Sequence, residues 1–256
     1  MGSTNKPIIL ITGGNQGLGH EALKALARRK AYHLIVAARS QAKADEAARV
    51  IATDTNSDLA DFTPVVIDLT QDTTIHAAAT LVQTKFGHLD ILINNAGIAR
   101  SPDEHATLRE NLHAVFETNV FGVAAMNEAF LPLLRASHYP QRRIVTVTSG
   151  LGMFGVALAE KTSPYNAWNY KFPVYRGSKA ALNMMALVDM VALREEGIAV
   201  VLVEPGYCRT AFGRFTGVKE PEDGGAVIAR AAIEGENEEL FLKIVDDEGK
   251  HEEFGW

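Results

Sequence analysis

Tyr175 and Lys179 stand four residues apart in the run Tyr-Arg-Gly-Ser-Lys, at the head of an apolar-periodic stretch over 174–196. On a helix that spacing puts both side chains on one face. A tyrosine hydroxyl, with an ordinary pKa of about 10, moves a proton sluggishly at neutral pH. An ammonium one turn away favours the phenolate and lowers that value, which suits the hydroxyl to general acid–base work. Nearby tyrosines lack such a partner, since Asn169 follows Tyr165 at this spacing and Val174 follows Tyr170.

A second concentration of informative residues lies near the start. Gly13, Gly14, Gly17 and Gly19 follow the apolar run 7–12, with Asn15, Gln16 and Leu18 between them. Glycine loses much freedom on folding and packs nothing, so such a cluster needs a reason. At the opening of a helix the reason is a phosphate-bearing ligand, which bare amides and the helix start would favour. The pattern runs Thr12-Gly13-x-x-x-Gly17-x-Gly19 and is not G-x-G-x-x-G. By itself it also fits an ordinary glycine turn. Asn94-Asn95-Ala96-Gly97 makes another small-residue turn, Ser149 ends an apolar run, and Pro205-Gly206 ends a further one with Thr210 beyond it.

Strands must bring these turns to one edge. Short apolar runs occupy 7–12, 32–38, 63–68, 89–93, 143–148, 198–203 and, more weakly, 240–245. Several are apolar on both parities, as in strands covered on both faces. Helical patterns fill the gaps at 18–30, 41–53, 72–86, 104–117, 119–136, 174–196 and 222–233. The alternation predicts one α/β domain over 1–256, a doubly wound parallel sheet of the Rossmann type with about seven strands and helices on both faces. In such a sheet ligands bind beyond the carboxyl ends of the strands. Residues 150–174 and 205–221 have no clean period, as expected of an insert and a lid-like segment.

The ordered motifs resemble the short-chain dehydrogenase/reductase family in its compact form, over roughly residues 7–245. The resemblance implies hydride exchange between a nicotinamide cofactor and a carbonyl or alcohol. It gives Tyr175 the proton transfer, Lys179 the support of that hydroxyl, and Ser149 the grip on the substrate oxygen. Asn119, in Thr-Asn-Val-Phe-Gly, matches a helix asparagine that shapes a water path to the lysine. The cofactor would lie on Gly13, Asn15, Gln16, Gly17, Leu18 and Gly19, with Asp68 and Leu69 at the adenine. Asn95, Ala96 and Gly97 would flank it, and Thr210 behind Pro205-Gly206 would meet the carboxamide, with Tyr175 and Lys179 also in contact.

The second strand ends Ala37-Ala38-Arg39-Ser40. An acid there would hold a ribose 2′-hydroxyl and repel a 2′-phosphate. Arg39 instead offers a planar cationic fork to a phosphate, with Lys43 and Ser40 to assist, so the expected cofactor is NADP(H). Arg39 also fits a plain surface turn.

The expected reaction is NADPH-dependent reduction of an aldehyde, ketone or quinone, with alcohol oxidation as the same site run backwards. A non-catalytic NADP-binding sensor is the reading from another class, and intact Ser149, Tyr175 and Lys179 argue against it. Ser149 and Tyr175 are 26 apart, about twice the spacing of compact family members, and the extra residues hold Phe154, Tyr165, Trp168, Tyr170 and Phe172. Together with Phe212 and Phe215 these aromatics fit either an apolar wall and partial lid for a bulky, cyclic or aromatic carbonyl, or packing of the insert on its own domain. Larger inserts at this point belong to monomeric carbonyl reductases, so a monomer is favoured over a homo-oligomer.

Bulk properties limit the partners. The net charge of −6 is concentrated in 234–253, where nine acids face Lys243 and Lys250. The rest is near neutral, which gives no basic surface for nucleic acid. The acidic tail 246–256 reads as a solvated run. No apolar run reaches the roughly 20 residues of a membrane span. Lys6 stands where a myristoylation signal wants Ser or Thr, and the first residues lack a signal-peptide core. The single cysteine, Cys208, excludes an intramolecular disulfide and fits a reducing, cytoplasmic setting. Eight histidines without an H-E-x-x-H spacing give no expectation of a metal.

Overall fold

β1 (Ile8–Ile11) is Ile-Ile-Leu-Ile, and all four side chains are buried. A strand apolar on both parities must be covered on both faces, and the computed structural model, which describes residues 6–246, 248 and 250–253, covers it. Ile9 and Ile11 enter a layer with Leu23 and Leu26 of α1 (Gly17–Arg28), Ile51 of α2 (Gln41–Asp54) and Ile228 of α8 (Pro221–Ile233). Ile8 and Leu10 enter the opposite layer with Val82 of α3 (Asp72–Phe86), Phe130 of α5 (Gly122–Ala136) and Met190 of α7 (Pro173–Leu193). Each fully buried Ile or Leu contributes about 1.5–3 kcal/mol, so a one-residue slip that exchanged the faces would be strongly disfavoured.

The other strands are β2 (His33–Ala38), β3 (Phe62–Val66), β4 (Ile91–Asn94), β5 (Arg143–Val147), β6 (Ala199–Val203), β7 (Lys243–Val245) and β8 (His251–Glu253). They form one sheet in the order β3-β2-β1-β4-β5-β6-β7-β8. The first seven in this order are mutually parallel, as expected, and β8 adds an antiparallel edge paired to β7. Residues 251–253 of the predicted tail are therefore strand. The remainder of that predicted tail at 247, 249 and 254–256 lies outside the described residues.

Two helix boundaries depart from expectation for local reasons. α4 spans Leu108–Phe116, without residues 104–107, because Thr107 forms a capping box with Glu110. The Thr107 amide donates to Glu110 Oε2 at 2.8 Å, and the Glu110 amide returns to Thr107 Oγ1 at 3.3 Å. Between α4 and α5 the chain does not break. It passes through a π-helical turn, Glu117–Phe121, that carries Asn119. The irregular 150–174 segment contains a 3₁₀ turn, Gly150–Gly152, and the short helix α6 (Phe154–Leu158). The 205–221 segment holds a 3₁₀ turn at Ala211–Gly213, and a bridge between Cys208 and Lys219 pins its neck. No helix among the described residues is long and apolar enough to cross a membrane.

Candidate active site

Strand order reverses at β1, whose neighbours β2 and β4 lead the chain in opposite directions. The crevice at this switch point is where doubly wound sheets bind ligands. Thr12 ties its two sides together, its Oγ1 accepting from the amides of Asn95 and Ala96 at 3.0 Å each. Asn95 Nδ2 in turn donates to Thr12 O at 2.8 Å.

The glycines have separate duties. Gly17 has φ of +57°, a left-handed conformation that favours glycine. Gly19 is needed for close approach, since a Cβ there would lie 2.4 Å from Asn95 Nδ2 and 2.5 Å from Gly13 O. Gln16 precedes α1 without a side-chain cap, so its side chain does not occupy the first amides of that helix. A turn of bare backbone at a helix start fits the pyrophosphate of a dinucleotide.

A cavity of about 1000 Å³ runs along this edge. Gly13, Asn15, Gln16, Gly17 and Leu18 line it, with Arg39, Lys43, Asp68 and Leu69 nearby on the β2 and β3 side. Asn95, Ala96, Gly97, Ser149, Tyr175, Lys179, Pro205, Gly206 and Thr210 complete the set expected from the sequence. Gly19 and Asn119 stand behind the lining, and Ser40 also lies off it. Arg39 is exposed and makes no ion pair among the described residues. Asp68 is folded onto its own turn, accepting from Thr70 N at 3.0 Å and Thr70 Oγ1 at 2.9 Å.

Tyr175 and Lys179 are both buried on the first turns of α7. The spacing predicts a tyrosine pKa lowered by the lysine, and the structure reverses that direction. Burial pushes the Tyr175 hydroxyl well above its usual value, Glu204 and Tyr170 push the same way, and a hydrogen bond with Ser149 opposes them. Lys179 Nζ lies 5.8 Å from the Tyr175 ring centre and donates to Val147 O at 2.8 Å. Burial alone draws its pKa down to about 8. The pair therefore holds a protonated phenol beside an amine that titrates close to neutrality.

Asn119 donates through Nδ2 to Ile98 O at 2.8 Å and Ser178 Oγ at 3.1 Å, while its Oδ1 accepts from Ile98 N at 2.8 Å. Its side chain is committed to fixing the loop behind Gly97. Of the aromatics expected as a wall, Tyr165, Tyr170, Phe172 and Phe212 line the cavity, and Phe212 meets the Tyr175 ring edge-on at 5.6 Å. Phe154, Trp168 and Phe215 do not. Trp168 is 59% exposed with Lys161 Nζ 5.4 Å over its ring, so it is no part of the wall. Tyr207, Arg100 and Glu204 also line the cavity and escaped the sequence reading, because irregular loops carry two of them and no period marks their inward face.

The family pattern described as short chain dehydrogenase matches residues 7–220. A short-chain dehydrogenase of Penicillium roqueforti, anuI, is 57% identical over 256 residues, covering 100% of both chains. The NADPH-bound carbonyl reductase from chicken fatty liver superposes with a TM-score of 0.80 at 24% identity, covering 100% of this chain and 96% of the other. Carbonyl reductase Sniffer of D. melanogaster gives 0.78 at 25% identity, over 98% of this chain and 100% of the other. With this match over most of its length, the chain belongs to the short-chain dehydrogenase/reductase family of oxidoreductases.

Proposed function

We propose that the protein is an NADPH-dependent carbonyl reductase that converts a bulky aromatic aldehyde, ketone or quinone to the alcohol. The observation that carries this reading is the convergence of Ser149, Tyr175 and Lys179 on the same cavity as the glycine turn and Arg39. The glycine turn and the first amides of α1 would hold the pyrophosphate, and Arg39 with Lys43 would hold the 2′-phosphate. Asp68 and Leu69 would border the adenine, with Asn95, Ala96 and Gly97 beside the ribose chain and Thr210 near the carboxamide. When bound, the reduced nicotinamide supplies the hydride that the carbonyl carbon receives.

Ser149 donates to the carbonyl oxygen and holds it against Tyr175. Tyr175 gives that oxygen its proton as negative charge develops there. Burial keeps this hydroxyl protonated, which is the form a proton donor needs, and Lys179 eases the release of that proton. Lys179 steadies the phenolate left behind, and its own pKa of about 8 lets it recover charge near neutral pH. The side chains of Tyr165, Tyr170, Phe172 and Phe212 supply the apolar wall that favours an aromatic substrate. The NADPH bound to the chicken carbonyl reductase supports the choice of cofactor.

The test is to follow NADPH absorbance with a panel of aldehydes, ketones and quinones, and to repeat it with NADH. Turnover of aryl carbonyls with a preference for NADPH is expected. Tight NADPH binding without turnover of any carbonyl would instead favour a sensor.

A further inference from the structure

Arg176 sits between Tyr175 and Lys179 in sequence, in the first turns of α7. It is 9% exposed and does not line the cavity. A cation at this end of a helix opposes the macrodipole, and a buried charge is expensive unless fully hydrogen-bonded. No carboxylate pairs with it among the described residues. Its partners are backbone carbonyls. Nε donates to Tyr170 O at 3.1 Å and Lys171 O at 2.9 Å, and Nη1 donates to Leu151 O at 3.2 Å. Nη2 donates to Tyr170 O at 2.8 Å and to Tyr165 O. A planar fork with five donors can meet this set, whereas a single ammonium cannot.

Those carbonyls belong to the two arms of the insert that separates Ser149 from Tyr175. The loop is also braced from within. Buried Asn166 donates to Glu160 O at 2.7 Å and accepts from Asn169 N at 2.9 Å, and Asn169 Nδ2 reaches Lys161 O at 2.7 Å. The outward result is the aromatic wall, where Tyr170 stacks on Phe172 at 4.5 Å with Arg100 5.7 Å over the Phe172 ring. Phe172 itself has φ of +39°, a left-handed conformation that a bulky side chain keeps only when its surroundings fix it.

We infer that Arg176 is a positioning residue for the substrate end of the cavity. Its guanidinium gathers the carbonyls of the 151–171 loop, makes the insert a standing wall in place of a moving lid, and thereby sets the size of carbonyl compound accepted. This rests on the carbonyl-reductase reading for its substrate consequence, though the clamp itself does not. Arg176 touches neither substrate nor the reacting atoms.

The test compares wild type with Arg176→Lys and Arg176→Ala. Amide hydrogen exchange over 157–171, measured without substrate or cofactor, reads the clamp directly. Exchange there should speed by about tenfold or more in both variants, ahead of any change in β1 or β4. With NADPH, the KM for a diaryl ketone relative to that for propanal should rise about tenfold, with the ratio of kcat values steady. Millimolar guanidinium should restore part of that KM ratio to Arg176→Ala. If the alanine variant fails to fold, the lysine variant carries the same readouts. A folded Arg176→Lys with unchanged exchange and unchanged KM ratio overturns the proposal. An equal fall of kcat on both substrates with KM unmoved also overturns it, by moving the effect to Tyr175. If wild type reduces neither carbonyl, the functional reading fails separately, and the exchange comparison still decides the clamp.

Discussion

Arg143 and Arg176 are the buried arginines among the described residues, and helices treat them in opposite ways. Arg143 opens β5 at the amino edge of the sheet and donates to Ala231 O at 3.0 Å, Glu234 O at 2.6 Å and Gly235 O. These are carbonyls at the carboxyl end of α8, where a helix leaves acceptors unused and favours a cation. Arg176 stands near the amino end of α7, where the dipole resists it, and draws its acceptors from an irregular loop. The first position is what backbone electrostatics alone would choose. The second makes sense only if the loop needs that shape. Lys179 belongs with Arg176, as a buried cation held by one carbonyl at 2.8 Å. Buried Asp90 belongs with Arg143, its oxygens engaged by Ile8 N at 2.6 Å and by Ser137 Oγ. One edge of the sheet is arranged for stability and the other against it.

That contrast can be broken in four ways. The largest effect is expected from Tyr175→Phe at the functional edge. Turnover should fall by about 10²–10⁴-fold, or roughly 3–5 kcal/mol in the barrier, with NADPH affinity and melting temperature near wild type. Near-normal turnover by stopped-assay kinetics would move the proton donor elsewhere.

At the opposite edge, Arg143→Met leaves the α8 carbonyls unanswered. Urea unfolding should show a loss of about 3–4 kcal/mol, while the folded fraction keeps its kcat/KM for every substrate. A selective change in substrate preference would erase the distinction between the edges.

Arg39→Asp removes the free cation and puts a carboxylate in its place. The preference for NADPH over NADH should drop by about 2–4 kcal/mol in paired kinetics, with stability unaffected. Unaltered discrimination would leave Arg39 as a surface residue.

The smallest effect concerns pH. The folded Lys179 has a pKa of about 8 against an ordinary 10.5, so the native state binds this proton less readily than the unfolded chain. The resulting cost, of order 3 kcal/mol, is full below pH 8 and fades as pH rises toward the unfolded value. Lys179→Met removes the cost but also loses the bond to Val147 O. At pH 7 the variant should therefore be more stable by about 1–2 kcal/mol in urea titrations, and inactive. The advantage should vanish at about pH 9, where the fading cost equals the lost bond. A variant less stable at pH 7 would show that the amine is not strained by burial.

The sheet was legible because nearly every strand is apolar on both parities, and only a parallel sheet between helix layers hides such segments. Tyr175 and Lys179 were legible because four residues is one helical turn. The direction of their pKa shifts was not, since spacing reveals a neighbouring charge and says nothing of how deeply both groups are buried. Trp168 shows the same limit: in a stretch without a period, type does not tell which aromatic faces inward. Arg176 left one trace, a cation at the wrong end of a helix, but its acceptors are backbone atoms that every residue possesses. β8 escaped because an acidic segment lacks the apolar signal, and its pairing depends on β7 beside it.

The π-helical turn at Glu117–Phe121 separates chain length from the placement of the hydrophobic layers. Such a turn takes in one residue beyond the α-helical count. Because the wider turn takes up that surplus, α5 keeps the phase of a direct continuation of α4, including the face that buries Met126, Phe130 and Leu133. Deleting one residue from the turn would leave a regular α-helix with the later side chains on their present faces, whereas deleting one from the regular part of α5 would swing each later side chain by about 100° around its axis. In the first case Phe130 would stay in its layer, and the loss would fall on Asn119, which the wide turn aims at Ile98. At this point the helix holds one residue to spare: a single-residue deletion can be absorbed without shifting the layers, and what it forfeits is the placement of Asn119.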